Sequence, residues 1–480
     1  MRTKTFHRLF TILMLSVSFI AQAEAQSDEG TAASPTAQPA LPPVEPYPAE
    51  GVSEGYLFNL RPWGRDLGKT LADQGIYITG RTINEGYANI SGGLQRGWLY
   101  QGYTSLGVDL DMNRIVGIPG GSVHILVDDL NGVPTEPFSG SAFAFNRVFS
   151  LNAALRLNEF SYEQSLFNDN LDVRVGRIPV GFDFDYSDLY CQFINGLCAL
   201  PGAYAFDKGS PSYLTASWAA VTKVRLPYSF YFNVGVYEDE PLLNSIHHDD
   251  WPGEDWDFNK GTGVTIPMQF GYRTTFKNDP YPRAFDIGGF IDTGTYSDPL
   301  LNAAGKNRIV SGGAARVDQG RSGLWLQGQQ VVWRPDMTNE RALYLFGGAN
   351  FTTSGEPSIA SAFFVGLSMK GLLASRPNDS INFEAQWINL NPLLTTAIDS
   401  SLRLQHTNQT VSSSEEFIEV NYGLQLAPGI NFKPFLQYIW NPDQSGLAKP
   451  SPSLTHTFFV GAAVSVFWAD AFGLPKLGGL

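Results

Sequence analysis

Two carboxylates stand four residues apart in the segment LRLNEFSYEQ, at Glu159 and Glu163. Glycosidases use two carboxylates held roughly 5–5.5 Å apart in retaining enzymes and roughly 6.5–9.5 Å apart in inverting ones. The surrounding residues alternate between polar and apolar, as in a β-strand, which places the two carboxylates ~13 Å apart along one face. This separation excludes the glycosidase geometry, and the sequence holds no Gly-x-Ser-x-Gly elbow, nucleotide loop or His-rich metal motif. These polar residues therefore point to non-covalent contacts rather than to catalysis.

The carboxylates belong to a predicted β-hairpin with one charged face and one apolar face. Leu171, Val173 and Val175 alternate with Asp172 and Arg174, and the letters FNDN before them predict a turn. In a soluble protein the apolar face would pack into a core. In an outer-membrane barrel it would face lipid, and the charged residues would line water. One hairpin does not decide between these two placements.

The last predicted strand, in HTFFVGAAVSVFW, favours lipid as the partner. One of its faces, from Phe458 to Trp468, is wholly apolar and has an aromatic residue at each end. Ten residue steps at ~3.3 Å give ~33 Å of strand, which spans roughly 25 Å when the strand is tilted by ~40°. Residues 213–226, 381–387 and 416–426 show the same alternation. Many such apolar faces, with no helices to cover them, indicate a membrane barrel.

Composition divides the chain into five segments. Residues 1–25 predict a signal peptide, because a basic start precedes the apolar run LFTILMLSVSFIA and an Ala-x-Ala cleavage site. Residues 26–56 are rich in Pro and Ala and predict a flexible linker. Residues 57–75 predict a short periplasmic helix. Residues 76–468 form the predicted barrel, and residues 469–480 form a C-terminal tail.

Charge and composition exclude several classes of protein. The chain carries 46 acidic and 32 basic residues, a net charge of −14, which argues against nucleic acid or an anionic surface as a partner. Aromatic residues reach 13% while charged residues reach only 16%. This combination suits a structure with many turns and aromatic girdles. After the signal, no run of 18 apolar residues predicts a membrane-spanning helix.

From Gly75 onward the chain alternates between predicted strands and turns. About seventeen candidate strands follow from the alternation, including 309–319 and 322–334, and no long helical pattern interrupts them. No repeat of fixed period indicates a propeller or a solenoid. We therefore predict an all-β fold, a transmembrane antiparallel up-and-down β-barrel of about sixteen strands with a short N-terminal periplasmic helix.

Several stretches resemble the carbohydrate-selective porins of the OprB type. LRLNEFSYEQSLFNDNLDVRVGR is similar to that family's hairpin, SDLYCQFINGLCALPGA to its cysteine-bearing loop, and FLQYIWNPD to a segment near its C-terminus. The resemblance implies a barrel in the outer membrane of a Gram-negative bacterium. It also implies passive diffusion of small, glucose-like monosaccharides into the periplasm. Two departures stand out: Ser161 stands where the family often has Trp, and a tail follows Trp468 where such barrels commonly end on an aromatic residue.

A sugar pore needs no catalyst and no cofactor. It needs hydrogen-bonding groups for the sugar hydroxyls and aromatic rings for the apolar face of the sugar, with contacts weak enough for release. Arginine suits this task because its planar fork makes paired hydrogen bonds. At each polar position, sugar contact and a generic place in the polar wall are alternatives. The candidate pore-lining residues are Glu159, Glu163, Asp172, Arg174, Arg177, Lys223, Arg225, Glu384, Gln386, Glu419, Asn421 and Gln425.

Cys191 and Cys198 are the two cysteines of the chain. Because an exported chain meets an oxidising compartment, a short-loop disulfide is the first interpretation, and two free thiols are the alternative. No His or further Cys lies close by in the sequence, so we expect no metal site here. Aromatic residues around the pair, such as Phe184 and Tyr190, predict a loop folded into the barrel, with a stapled surface loop as the alternative.

The remaining expectations concern partners. Residues 247–258, HHDDWPGEDWDF, predict an acidic extracellular loop, and binding of a divalent cation is the alternative. The expected partners are small sugars, outer-membrane lipid and lipopolysaccharide, without nucleic acid, and the barrel is expected as a monomer or a homotrimer. A different interpretation of the whole chain is an exported soluble or surface-held β-rich glycan-binding protein or enzyme.

Overall fold

A computed structural model describes residues 55–58, 60, 62–142, 154–199, 216–240, 260–445 and 447–479. The predicted signal peptide, all but the last two residues of the predicted linker, and the acidic stretch 247–258 lie outside the described residues. Within these ranges, sixteen strands form one sheet, and each strand pairs antiparallel with its neighbours in sequence. The first strand also pairs with the last, so the sheet closes into a barrel. This closed barrel confirms the predicted fold class.

The strands vary in length from 8 to 20 residues. Their bounds are β1 Ile76–Gly92, β2 Gly97–Asp111, β3 Gly121–Gly132, β4 Ala154–Leu166, β5 Leu171–Ile178, β6 Ser217–Arg225, β7 Phe230–Asp239, β8 Gly263–Arg273, β9 Arg283–Asn302, β10 Ala315–Trp333, β11 Ala342–Ser354, β12 Ile359–Lys370, β13 Ser380–Leu390, β14 Ser414–Ala427, β15 Ile430–Trp440 and β16 His456–Phe467.

The α-helices lie before β1, in connections between strands, or after β16. No helix of the described residues is long and apolar enough to cross a membrane. The bounds are α1 Arg65–Asp73, α2 Met112–Val116, α3 Glu136–Ser139, α4 Arg308–Ser311, α5 Pro392–Leu404 and α6 Trp468–Phe472.

One predicted strand boundary is wrong. The candidates 309–319 and 322–334 are not two strands. α4 takes residues 309–311, and residues 315–319 belong to the same strand, β10, as the second candidate. Gly320 has a φ of +86°. The pairing of β10 with β9 shifts there, between Gln319 and Arg321. Such a bulge bends a strand without ending it, so Gly320, between the two predicted strands, marks an irregularity inside one long strand.

The two ends of the barrel differ in the length of their connections. The chain termini lie at the same end as the short turns, such as the four residues between β4 and β5. The connections at the other end include the long segments between β5 and β6 and between β13 and β14. Outer-membrane barrels have short periplasmic turns and longer extracellular loops, which makes the end with the termini the periplasmic one.

Side chains alternate between the outside and the inside of the barrel along each strand. In β9, Ile287 points outward and is 60% exposed, whereas its neighbour Asp286 points inward and is only 9% exposed. In β5, Val175 pairs with Tyr162 and lies on the outer face, while Arg174 pairs with Glu163 on the inner face. The apolar face of the hairpin therefore belongs to the outer surface, which is the lipid-facing surface of such a barrel.

The hydrophobic core lies inside the barrel and includes residues from a loop. Phe184, Tyr190, Phe193 and Ile194 follow β5, and each is almost completely buried. They pack against inward-facing aromatic residues such as Phe346 of β11. The segment after β5 is therefore folded into the barrel, and we call residues 179–199 the inner loop.

Candidate functional site

The inner loop follows the inner wall of the barrel from β5 to β15. Along this path its polar groups bond to inward-facing side chains of strands β5 to β8, β10, β13, β14 and β15. The contacts fall into three groups, which we call the near, middle and far anchors. Together they fix the loop against one side of the lumen.

The near anchor is centred on Asp183. Its carboxylate binds the guanidinium of Arg174 and the Lys223 ammonium, the latter at 2.7 Å, and accepts a hydrogen bond from the Tyr237 hydroxyl at 3.2 Å. Burial opposes ionisation of this carboxyl, but the two cations outweigh it and lower the pKa of Asp183. Asn233 also donates to the Asp183 carbonyl at 3.1 Å. Because these charges are buried and paired, loss of one partner would leave an uncompensated charge.

The middle anchor is centred on Tyr190. Its ring lies edge-on to Phe364 with 5.1 Å between centroids, and at 5.6 Å from the ring of Phe346. Its hydroxyl donates to Gln327. Burial, together with nearby Asp185, raises the pKa of Tyr190 well above its ordinary value, so the hydroxyl remains a donor. This aromatic contact holds the centre of the loop on β10 to β12.

The far anchor joins residues 192–195 to β13, β14 and β15. The backbone N–H of Ile194 donates to Glu419 at 2.9 Å, and the Asn195 side chain donates to both Glu419 and Glu384. The carbonyl of Gln192 accepts from Lys433 at 2.6 Å. The polar groups of this wall are therefore directed at the loop.

A wall with charges of both signs lies on β1 to β5. Arg174 binds Glu159 at 3.2 Å, and His124 lies 2.8 Å from Asp109. We call these inward-facing residues the charged wall. Its members are Arg81, Asp109, His124, Asp128, Arg156, Glu159, Glu163 and Arg174.

A closed barrel with a loop folded into it is the architecture of a porin, and sequence comparison decides which kind. The sequence profile of the carbohydrate-selective porins, OprB family, matches residues 95–460. The chain belongs to the carbohydrate-selective porin family. It is an outer-membrane porin of a Gram-negative bacterium, and family and fold together indicate a carbohydrate channel rather than an enzyme.

Similar proteins agree with this assignment. Porin B of Pseudomonas aeruginosa is 23% identical over 421 residues, which are 82% of this chain and 89% of that protein. The high-pH structure of Pseudomonas putida OprB has a TM-score of 0.74 at 21% identity and covers 87% of this chain and 100% of its own. The low-pH structure of that protein has a TM-score of 0.51 at 17% identity, with coverages of 85% and 100%. These two structures share the barrel fold of this porin.

The structure brings most of the predicted pore-lining residues to the inner face but divides them between two walls. Glu159, Glu163 and Arg174 belong to the charged wall. Glu384, Gln386, Glu419 and Asn421 lie on β13 and β14, in contact with the inner loop. Lys223 is in the near anchor. Inward-facing polar residues of the strands therefore have two roles. Some bind the inner loop, and others form the charged wall.

Other predicted residues lie at the ends of strands. Arg225 binds Asp172 at 2.7 Å near the turn between β4 and β5, at the periplasmic end. Gln425 also lies at that end, where its backbone N–H donates to Asp379 at 2.9 Å. Asp172, Arg225 and Gln425 therefore lie at the periplasmic mouth of the barrel.

Arg177 lies on the outer face rather than in the lumen. It pairs in register with Phe160 of β4 and Trp218 of β6, which occupy outward positions. Its guanidinium lies 6.0 Å from the centroid of the Trp218 ring and donates to the Ala216 carbonyl. Arg177 lies at the extracellular end of β5, near the membrane surface. There the Trp218 ring and the Ala216 carbonyl stabilise its buried charge.

Cys191 of the inner loop is disulfide-bonded. The side chain of Cys198 lies outside the part of the chain that the structure describes. We propose that Cys198 is the partner of Cys191, as the sequence predicts. The short loop that this disulfide would close carries Asn195 of the far anchor.

Sequence reasoning missed the polar residues that hold the inner loop. Asp183 and Asn195 lie in irregular backbone, where no alternation distinguishes a buried anchor from a solvated side chain. Lys433 and Gln437 were also missed, although they alternate with apolar residues in INFKPFLQYIW. The alternation rule that found Glu419 on β14 could have found these two on β15.

Proposed function

We propose that this porin preferentially passes glucose-sized neutral sugars, by passive diffusion, between the inner loop and the charged wall. The observation that carries the proposal is the path of the loop. It contacts the side of the lumen formed by β5 to β15, and the charged wall stands on β1 to β5, with Arg174 at the border between the two. Sugars would pass along this wall toward the periplasmic mouth.

The chemistry of the charged wall suits a neutral solute with many hydroxyls. Arg81 and Arg156 can donate to sugar oxygens, and Glu159 and Glu163 can accept from sugar hydroxyls. Arg81 lies 5.3 Å from the centroid of the buried Tyr103 ring, a contact that helps to hold its guanidinium at the wall. Interleaved charges of both signs order water, and a sugar can replace those hydrogen bonds without binding too tightly to leave.

The proposal assigns different roles to the predicted pore-lining residues. Glu159 and Glu163 would contact sugar, because they belong to the charged wall, whereas Arg174 also holds Asp183 of the inner loop. Glu384 and Glu419 would act on sugar only indirectly, since their carboxylates bind the inner loop. Substitution of Glu163 should therefore change sugar preference without altering the position of the loop, because Arg174 keeps its bonds to Glu159 and Asp183.

Osmotic swelling of liposomes that contain the purified, unheated porin tests the proposal. Glucose, a disaccharide, a neutral amino acid and a salt would be compared at equal osmolarity, with heat-denatured porin as the control. We expect fast swelling with glucose and slower swelling with the amino acid of similar size. Equal rates for all small solutes would make it a general porin. Absence of swelling, despite membrane insertion, would contradict transport altogether.

A further inference from the structure

The far anchor depends on one amide side chain, that of Asn195. Asn195 is 0% exposed, and its Nδ2 donates to Glu384 and, at 2.9 Å, to Glu419. Its Oδ1 accepts from Gln386 at 3.1 Å and from the N–H of Leu197 at 2.8 Å. Both ends of the amide are therefore occupied, which fixes its orientation between wall and loop.

The wall beneath Asn195 presents two carboxylates side by side. Glu384 of β13 and Glu419 of β14 pair directly in register, and both are 0% exposed. Like charges at directly opposed positions destabilise a sheet. Donors from Asn195, and from Gln437 at 3.0 Å to Glu419, offset this repulsion. An amide is the side chain that can donate to both carboxylates while its oxygen accepts from the loop.

We propose that Asn195 is a positioning residue that keeps the sugar passage open by holding the far end of the inner loop on the wall. The inference rests on the proposed function, because it concerns the same passage. Without the Asn195 side chain, the two carboxylates lose their shared donor. The backbone N–H groups of Ile194 and Asn195 still donate to Glu419, but the loop loses its bond to Glu384, so the segment that follows Gln192 leaves β13 and β14 more often. The passage lies on the other side of the loop, so a detached segment enters it and obstructs it.

Single-channel recording in planar bilayers tests this inference in salt alone, so that it does not depend on sugar preference. For Asn195→Ala we expect brief closures to become roughly ten- to a hundredfold more frequent, the factor expected from loss of charge-assisted hydrogen bonds. Glucose swelling rates should fall in parallel. A steady open-channel current like that of the wild type would overturn the proposal.

Asn350→Ala provides a matched control. Asn350 is another inward-facing, buried asparagine, on β11, and its side-chain nitrogen has no hydrogen-bond partner among the described residues. We expect its channel to be as steady as that of the wild type. If Asn350→Ala closes as often as Asn195→Ala, the closures reflect any cavity in the lumen, and the positioning role is refuted.

A charge exchange separates positioning from a general loss of folding. Asn195→Asp places a third carboxylate against Glu384 and Glu419, so we expect more closures than in Asn195→Ala. Adding Glu384→Gln restores a donor–acceptor pair with the roles exchanged and returns the net charge to that of the wild type. The double variant should close less often than Asn195→Asp, and equal closure rates would contradict the inference even if Asn195→Ala fails to insert. A wild type without sugar preference would refute the proposed function but leave this comparison valid.

Discussion

Asp185, next to the near anchor, is buried in surroundings that disfavour the ionised form of its carboxyl. It is buried, and its Oδ1 has no hydrogen-bond partner among the described residues. Burial, and then the neighbouring Asp286, raise the pKa of Asp185 well above its ordinary value of 3.8. The backbone there has a φ of +49°, a conformation that Asp and Asn tolerate better than most residues. An amide therefore fits this site in shape and in backbone conformation.

We predict that Asp185→Asn stabilises the porin increasingly as the pH rises. The folded wild type retains a proton that the unfolded chain releases above pH ~3.9, so its stability falls with pH until the folded carboxyl ionises. The amide removes this dependence and should add on the order of 1–3 kcal/mol at neutral pH and above. The urea concentration that unfolds the porin, followed by gel mobility at pH 5 and pH 8, measures the effect.

The comparison between the two pH values contains its own control. At pH 5 the carboxyl of Asp185 is closer to its protonated state, so wild type and variant should differ less. A stabilisation that shrinks as the pH rises would contradict the raised pKa. Unchanged single-channel conductance would show that the amide leaves the loop in place.

At the scale of elements, strands could be predicted and the contacts of the loop could not. The alternation of apolar and polar residues along a strand indicates which side chains face outward and which face the lumen. On β13, Phe383 faces outward and Glu384 faces the lumen. The far anchor joins Asn195 to Glu384 and Glu419, which lie 189 and 224 positions away in sequence. Nothing local to Asn195 indicates these partners. The polar positions of the walls were therefore predictable, but their division between loop supports and passage was not.

α5 is an element that the sequence contained and that the strand pattern obscured. Asn391 caps it, since its side chain accepts from the N–H of Leu393 at 2.8 Å, and Pro392 occupies the first turn. Leu394, Ile398 and Leu402 recur at helical spacing and are buried. An Asn-Pro start followed by this spacing predicts a helix, and attention to alternation alone missed it.

The disulfide at Cys191 gives a prediction for the inner loop as an element. The anchors hold the loop on both sides of this residue, so a reducing agent should leave the barrel closed and the mean conductance nearly unchanged. Loss of the link would increase the freedom of the loop by about 2–3 kcal/mol in chain entropy. We expect a noisier open-channel current, measured in planar bilayers before and after reduction.

Cys191→Ser is the control for the reducing agent. This variant should be noisy from the start and should show no further change on reduction. A change in the variant would locate the effect of the reductant elsewhere. A wild-type current that stays quiet after complete reduction would show that the three anchors alone fix the loop.

At the scale of the whole molecule, barrel closure brings the two ends of the chain together. β1 pairs with β16 from Arg81–Phe467 to Gly92–Thr457. Beyond this seam, α1 and the two residues before it pack on the end of α6 and on the segment that follows it. The ring of Trp63 lies 5.0 Å from that of Phe472, and the N–H of Gly64 donates to the Phe472 carbonyl at 2.9 Å. The C-terminal tail is thus attached to the N-terminal helix at the periplasmic end.

We predict that deletion of residues 470–480 weakens the porin against heat without changing its conductance. The deletion removes the contact of Phe472 with Trp63 and that of the buried Leu474 with α1, which should cost roughly 3 kcal/mol of apolar burial. The β1–β16 pairing ends before this segment, and the inner loop lies within the lumen, so both remain. The temperature at which the unheated gel mobility is lost measures stability, and bilayer recording measures conductance.

Deletion of residues 477–480 alone is the matched control, because it keeps Phe472, Leu474 and Pro475. Gly68 of α1 lies against this last pair, where an added Cβ would come within 2.8 Å of the Pro475 ring. The shorter deletion should therefore leave the unfolding temperature near that of the wild type. If both deletions lower it equally, the stabilisation comes from the last residues rather than from the contact with α1. If the longer deletion prevents membrane insertion, the tail is needed for assembly, and the prediction of a change in heat stability alone is wrong.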